Sequence, residues 1–148
     1  MTGDRIRLDA PAKLTLTLRV LGTRADGYHE LEALTVLVSA PADTVVVTAA
    51  PAGVVELTVT GGGPDVPHDD TNLAVRAARA VLPRDAGVAI ELTKVVPSGA
   101  GLGGGSADAA AVLRAARDRF GLDVIDVMAT AADLGADVPV CLYGGPVV

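Results

Sequence analysis

Apolar and polar residues alternate along the first part of the chain, and this alternation predicts β-strands. The clearest case is the stretch LTLTLRVL at 14–21, in which leucine or valine occupies every second position. Further strands are predicted at 5–8, 31–39, 43–50 and 54–61, because β-branched residues are frequent there. An Asp-Gly pair in the segment GTRADGYHE is typical of a turn and separates the second strand from the third.

In the second half of the chain, apolar residues recur every three or four positions, which is the period of an amphipathic helix. The elements predicted from this half are helices at 71–82, 105–119 and 123–133, a strand at 87–96, and a turn followed by a strand within 135–145. Either Asp70 or Thr71 is expected to cap the first helix. A strand-rich first half followed by α-β-α-α-β predicts an α+β fold in one domain, residues 1–148, rather than a doubly wound parallel sheet.

Composition and charge narrow the classes of function. The 148 residues carry a formal net charge of −6 and show no basic stripe, which argues against an extended nucleic-acid interface. A single cysteine, Cys141, excludes a disulfide framework and a multi-cysteine zinc site. No apolar run has the length of a signal-peptide core or a transmembrane helix, so we expect a cytoplasmic protein that does not bind membranes.

Five glycines lie within residues 99–106, between a predicted strand and a predicted helix. Strand, glycine-rich loop and helix N-terminus together form a phosphate-binding arrangement, because free backbone N–H groups converge on the anion. Ser106 is expected either to cap the helix or to reach a phosphate-bound Mg²⁺, and Asp108 to orient a metal-bound water or to cap. No lysine follows the glycines, so the segment is not a Walker A motif. The alternative is a turn that only lets the helix pack closely on the sheet.

The segment KVVPSGAGLGGGSADAAAVL resembles the phosphate-binding signature of the GHMP small-molecule kinases. Two more stretches, PAKLTLTLRVLGTRADGYHELEAL and LGADVPVCLYGG, are similar to the opening and to the catalytic-acid turn of family members, so the resemblance covers essentially the whole chain. It implies two domains with ATP between them: an N-terminal α+β domain of the ribosomal S5 domain 2-like fold and a ferredoxin-like C-terminal domain. Because family members are longer, we expect this chain to be the N-terminal, ATP-binding half, with the ferredoxin-like domain absent.

The resemblance also implies roles for individual residues. Lys13 matches the family's catalytic lysine, and Asp137 matches its catalytic aspartate. Tyr28 and His29 match a pair that recognises a cytosine ring. Thr15 stands at the substrate end, where the family usually has asparagine, and it keeps one of the amide's hydrogen bonds. The residues expected around the ATP phosphates are Pro97, Gly99, Ala100, Gly101, Leu102, Gly103, Gly104, Gly105 and Ser106.

Phosphoryl transfer requires in-line positioning, neutralisation of charge and a group that accepts the proton of the attacking hydroxyl. Asp137 lies in a predicted tight turn, Gly-Ala-Asp-Val-Pro, which could hold its carboxylate in place to accept that proton. Lys13 could pair with the carboxylate and keep it ionised. Lys13 and Lys94 are the only lysines in an arginine-rich chain, which favours a special role. The alternatives are a helix-capping Asp137 and a solvated Lys13. Likewise, Tyr28 could cover a core patch while His29 faces solvent.

We therefore expect a kinase that uses ATP and Mg²⁺ to phosphorylate an alcohol group of a small molecule carrying a cytidine diphosphate group. Another GHMP kinase, with a substrate of the mevalonate or homoserine type, is one alternative. A second is a non-catalytic domain, either an S5-like RNA-binding module or a truncated domain that only holds nucleotide. The charge of −6 argues against the RNA-binding form. Because half of the cleft would be missing, the chain alone is expected to have little or no kinase activity.

Overall fold

A computed structural model of the chain describes residues 5–144. The described part contains, in chain order, β1 Arg5–Thr23, β2 His29–Ala50, β3 Val55–Gly61, α1 Leu73–Val81, β4 Gly87–Lys94, α2 Gly104–Phe120, α3 Val124–Leu134 and α4 Asp137–Tyr143. This mixture of one sheet and packed helices confirms the predicted α+β class.

The strands of the described part form a four-stranded sheet in the order β1-β2-β4-β3. β1 pairs antiparallel with β2, β2 pairs antiparallel with β4, and β3 runs parallel to β4. Within β2, only the segment from Thr44 to Ala50 pairs with β4. The turn end of the β1–β2 hairpin therefore extends beyond β4 as two strands. We call this extension, residues 13–23 paired with 29–37, the ribbon.

The structure joins strands that the sequence pattern separates. Four predicted strands form two continuous ones, with 5–8 and 14–21 both in β1 and 31–39 and 43–50 both in β2. Proline interrupts both patterns, but β1 is an edge strand, where proline is tolerated. In β2 the residues around Pro41 leave the ladder, because the pairing passes from Pro11–Ala42 directly to Lys13–Leu37.

Helix α2 packs against the sheet and against the other helices. Its residues from Ala107 to Leu113 are all buried, and alanines make up most of that run, so neighbouring elements approach it closely. Ile90 and Leu92 of β4 are also fully buried. Burying a side chain of this size contributes about 1.5–3 kcal/mol relative to exposure. The core thereby anchors both β4 and α2, the two elements that flank the glycine-rich segment.

The prediction of a strand within 135–145 is wrong, because Asp137–Tyr143 forms helix α4. Val138 and Cys141 are both buried, and their three-residue spacing places them on one face of that helix. The sequence VPVCL resembles strand alternation. However, Pro139 stands in the first helical turn, where its missing N–H group has no intrahelical partner to lose.

The other helices follow the prediction to within two residues. The cap of α1 is Asn72 rather than Asp70 or Thr71, because the Asn72 side-chain oxygen accepts from the Ala74 N–H group at 2.9 Å. Such a cap typically contributes about 1 kcal/mol. Across residues 5–144, no helix combines the length and apolar character needed to cross a membrane.

Candidate functional site

The glycine loop, residues 97–106, borders an open cavity of about 210 Å³, and the nine residues expected at the ATP phosphates all line it. Gly103 is the N-cap of α2, with φ of 66° and no side-chain cap, so the expectation that Ser106 caps the helix is wrong. Ser106 is instead the third residue of α2. Because the first N–H groups of a helix have no intrahelical acceptor, those of α2 are available to an anion in this cavity.

Lys13 is attached to the glycine loop through both its backbone and its side chain. Its N–H group donates to the carbonyl oxygen of Leu102 at 2.8 Å. A Cβ atom at Gly103 would lie only 2.6 Å from Cγ of Lys13, so only glycine allows this approach. The structure therefore places Lys13 directly beside the start of α2.

Lys13 also forms an ion pair with Asp137, at 3.1 Å between Nζ and Oδ2. Asp137 is the first residue of helix α4. The sequence instead predicts that it lies in a tight turn followed by a strand, and that prediction is wrong. The Lys13 side chain is 12% exposed and that of Asp137 is 42% exposed, so the pair is open to a ligand. Nζ of Lys13 also donates to Oγ1 of Thr15 at 3.4 Å. Three expected site residues thus meet beside the glycine loop, next to Gly103.

Asp108 does not lie in the first helical turn and does not cap α2. Its Oδ2 accepts from Nζ of Lys94 at 2.6 Å, and the same ammonium donates to Oδ2 of Asp43. Burial raises the pKa of Asp108 to about 6, although Lys94 pulls it down. Burial alone would lower the pKa of Lys94, but the Asp108 and Asp43 carboxylates raise it by more, so the pKa of Lys94 lies above its usual value. We call Lys94, Asp43 and Asp108 the ion cluster.

The sequence pattern does not predict this ion cluster, although one of its residues is recognisable in the pattern. In β4 and just beyond, Leu92, Lys94 and Val96 are buried while the residues between them are exposed. A lysine on the apolar face of an alternating strand needs a buried partner of opposite charge. Nothing in the strand pattern indicates that these partners are Asp43 and Asp108, which come from two other elements.

Tyr28 and His29 lie at the tip of the ribbon. Tyr28 is 75% exposed, and its N–H group donates to Oδ1 of Asp26 at 3.1 Å. Nδ1 of His29 is 3.3 Å from Oγ1 of Thr23. Lys13 and Thr23 are ten positions apart, which corresponds to roughly 33 Å of extended strand. The structure therefore does not bring the expected cytosine-recognition pair to the Lys13–Asp137 ion pair.

A sequence profile described as GHMP kinases N terminal domain matches residues 72–145, which is half of the chain. This chain belongs to the GHMP kinase family. Among relatives of this GHMP kinase chain, 4-diphosphocytidyl-2-C-methyl-D-erythritol kinase from Jannaschia sp. (strain CCS1) is 46% identical over 148 residues, covering 99% of the chain and 51% of the relative. The protein of the same name from Methylacidiphilum infernorum (isolate V4) is 44% identical over 150 residues, covering 98% and 51%.

Solved structures agree with this assignment to the GHMP kinases. A crystal structure of 4-(cytidine 5'-diphospho)-2C-methyl-D-erythritol kinase matches with a TM-score of 0.79 and 43% identity, covering 95% of the chain and 50% of that protein. Homoserine kinase from Cytophaga hutchinsonii matches with a TM-score of 0.71 and 27% identity, covering 99% and 48%. The chain thus spans about half the length of the curated relatives it matches. The resemblance inferred from the sequence is confirmed.

Proposed function

We propose that residues 1–148 form the N-terminal, ATP-binding domain of a kinase in non-mevalonate isoprenoid precursor biosynthesis. The kinase phosphorylates the 2-hydroxyl group of 4-diphosphocytidyl-2-C-methyl-D-erythritol. The observation that carries the proposal is the 3.1 Å Lys13–Asp137 ion pair, whose lysine contacts Leu102 and Gly103 in the lining of the cavity. The choice of substrate within the GHMP kinases rests on relatives named for it at 46% and 44% identity.

In this proposal the ATP phosphates bind at the first turn of α2. The free N–H groups and the positive end of the helix dipole favour an anion there, by roughly 0.3–1 kcal/mol for the dipole at an exposed site. The cavity of about 210 Å³ is smaller than the roughly 300–1,000 Å³ of typical ligand pockets. It therefore suits the phosphate end of the nucleotide, and the rest of ATP extends outside it.

Magnesium fits the same place. Ser106 and Asp108 both line the cavity, and the buried Oδ1 atom of Asp108 has no hydrogen-bond partner. Mg²⁺ prefers oxygen donors of this kind combined with substrate phosphates. Within the described residues, no three potential His, Cys, Asp or Glu ligands lie together, so the ion would depend on the nucleotide. Ser106 would hold Mg²⁺ that arrives with ATP. When bound, the ion neutralises charge on the phosphates.

At the acceptor end, Asp137 accepts the proton of the substrate hydroxyl group as the hydroxyl oxygen attacks the γ-phosphorus. The bond from the γ-phosphorus to the β,γ-bridging oxygen breaks, and ADP leaves. Lys13 holds the carboxylate in place through the ion pair and stands beside the loop that binds the phosphates. A positive charge at this position stabilises the negative charge that is spread over the transferred group in the transition state. Thr15 accepts a hydrogen bond from the Lys13 ammonium and restricts its orientation.

For the cytidine end, we propose that the Tyr28 ring stacks on the pyrimidine and that His29 bonds its edge. Because both residues lie at the tip of the ribbon, this contact requires the ribbon to curve towards Lys13 when substrate binds. Register shifts within the ribbon, between Thr15 and Thr17 and between Val20 and Gly22, are positions where such curvature is built into strands.

The test is a thermal-shift and calorimetric titration of the chain with Mg-ATP analogue, CDP, mevalonate and homoserine. We expect stabilisation by the nucleotide analogue and by CDP, and loss of the CDP effect alone in Tyr28→Ala. Stabilisation by mevalonate or homoserine but not CDP would assign the chain to another GHMP kinase. Normal turnover by the 148 residues in an ADP-release assay would contradict the expectation that they are inactive alone.

A further inference from the structure

The ion cluster joins three elements below the glycine loop. Nζ of Lys94, the last residue of β4, donates to Oδ2 of Asp43 in β2 at 2.5 Å and to Oδ2 of Asp108 in α2 at 2.6 Å. The side chain of Lys94 is 4% exposed, that of Asp43 0% and that of Asp108 3%. These charges are therefore removed from solvent and hold a fixed mutual geometry.

The second carboxylate oxygen of Asp43 fixes the chain just before the loop. Its Oδ1 accepts from the N–H groups of Val95 and Val96, at 2.5 and 2.8 Å. These two residues connect β4 to the glycine loop, and Val96 is itself buried. Asp43 therefore determines where the loop leaves the sheet.

Lys94 fixes the other end of the loop. A Cβ atom at Gly104 would lie 3.2 Å from Nζ of Lys94, so the ammonium packs directly against the first turn of α2. Asp108 is four residues further along the same helix, which places it on the same face as Gly104. Through Asp108 the ammonium also holds α2 one turn beyond its start.

Lys94 lines the cavity, but the net charge of the cluster argues against a simple attraction for phosphate. Two carboxylates and one ammonium leave a net charge of −1 when all are ionised, and a negative charge repels an anion in the cavity above. Nor is a buried ion pair by itself a strong source of stability, since apolar side chains of similar volume are often equally stabilising. What the cluster does supply is a fixed position for the N–H groups at both ends of the loop.

We propose that Lys94 is a positioning residue for nucleotide binding, which holds the glycine loop and the first turn of α2 in the geometry that receives the phosphates. This inference rests on the proposed function, because it takes the cavity to be the phosphate site. Asp43 acts with Lys94 by bonding the Val95 and Val96 amides. In catalysis, a misplacement of about 1 Å can lower the rate about 100-fold, so small shifts of a positioning group have large effects.

The test compares the affinity of the full chain for AMP-PNP with Mg²⁺, by calorimetry, with the thermal stability of each variant. Lys94→Met is expected to weaken binding at least tenfold at a temperature where it is folded. Val127→Ala is the matched control, because Val127 is a buried core residue of α3 that does not line the cavity. It should lower Tm and leave Kd within twofold of the parent.

A second pair of variants covers the case in which Lys94→Met does not fold. Asp43→Ala removes the acceptor of both amides and should weaken binding, whereas Asp43→Asn keeps a carbonyl oxygen there and should recover part of the affinity. Amide hydrogen exchange of residues 95–106 should be faster in Asp43→Ala and unchanged in Val127→Ala. The positioning role would be overturned if the loss of affinity simply followed the loss of Tm across all variants. It would also be overturned if Lys94→Met folded and bound the nucleotide with the parent's Kd. A parent chain that binds no nucleotide would instead refute the proposed function, and this inference with it.

Discussion

Replacing Gly103 with alanine perturbs the contact between the glycine loop and Lys13. Gly103 has φ of 66°, in the left-handed region that costs other residues roughly 1–2 kcal/mol. The added Cβ would lie 2.6 Å from Cγ of Lys13, whereas ordinary contact begins near 3.4 Å. Either the lysine or the loop must therefore move by about 0.8 Å, the difference between these distances.

Because a shift of about 1 Å in a reacting group can lower a rate about 100-fold, we expect Gly103→Ala to reduce kcat of the complete kinase roughly 10- to 100-fold. The free energy of unfolding should fall by about 1–2 kcal/mol, measured by urea denaturation. Gly121→Ala is the matched control, since Gly121 has the same φ of 66° at the other end of α2 with nothing within 4 Å of its added Cβ. It should lose stability but keep kcat. Equal losses of kcat in both variants, or an unchanged kcat in Gly103→Ala, would refute the reasoning.

Three further predictions concern single side chains. Asp137→Asn should lower kcat of the complete kinase by about 10²–10⁴-fold, because an amide accepts no proton. The Kd for Mg-AMP-PNP should stay within about threefold. Steady-state kinetics that show the parent's kcat would contradict the role of Asp137. Burial, opposed by Lys94, raises the pKa of Asp108 to about 6, so the folded protein binds this proton more tightly than the unfolded chain. The free energy of unfolding should therefore fall as pH rises from about 4 to about 6, by up to about 3 kcal/mol at 1.36 kcal/mol per pH unit. Urea denaturation should show this decline weakened in Asp108→Asn, and identical pH profiles would be evidence against it. Burial, followed by the nearby Asp137 carboxylate, raises the pKa of the Cys141 thiol to about 11. A thiol reagent should thus label Cys141 only in denaturant, and rapid labelling of the folded chain would contradict its burial.

The sequence pattern predicts most elements because their local signals agree with their tertiary setting. In α2, helical periodicity, alanine content and the flanking glycines all indicate the same segment. In α4, the local signal and the fold disagree. The alternation of VPVCL favours a strand, but burial of Val138 and Cys141 against the core selects the helix, and a single sequence contains no record of that core.

The alternation at 14–21 predicts the strand correctly but not its surroundings. Leu14, Leu16, Leu18 and Val20 are 42%, 52%, 60% and 64% exposed, so the described residues leave about half of each of these side chains uncovered. Alternation shows that a strand has an apolar face, but it contains no information on what packs there.

The parts of the candidate site that the sequence predicts are local, and the parts that it does not predict depend on contacts between distant residues. The glycine loop is contiguous, so its spacing in the sequence is enough to indicate a phosphate site. Lys13 and Asp137 are more than a hundred positions apart, and their pairing was inferred from family resemblance and general chemistry. The contact of Lys94 with Asp43 depends on the strand order β2-β4, which no local pattern encodes.

The most direct test of the central claim is an NMR titration of backbone amides in the isotope-labelled chain with Mg-AMP-PNP. If the first turn of α2 receives the phosphates beside Lys13, the largest saturable shifts will occur at the amides of residues 103–106 and at Lys13. Saturable binding with these amides unchanged and the shifts at another surface would contradict the claim.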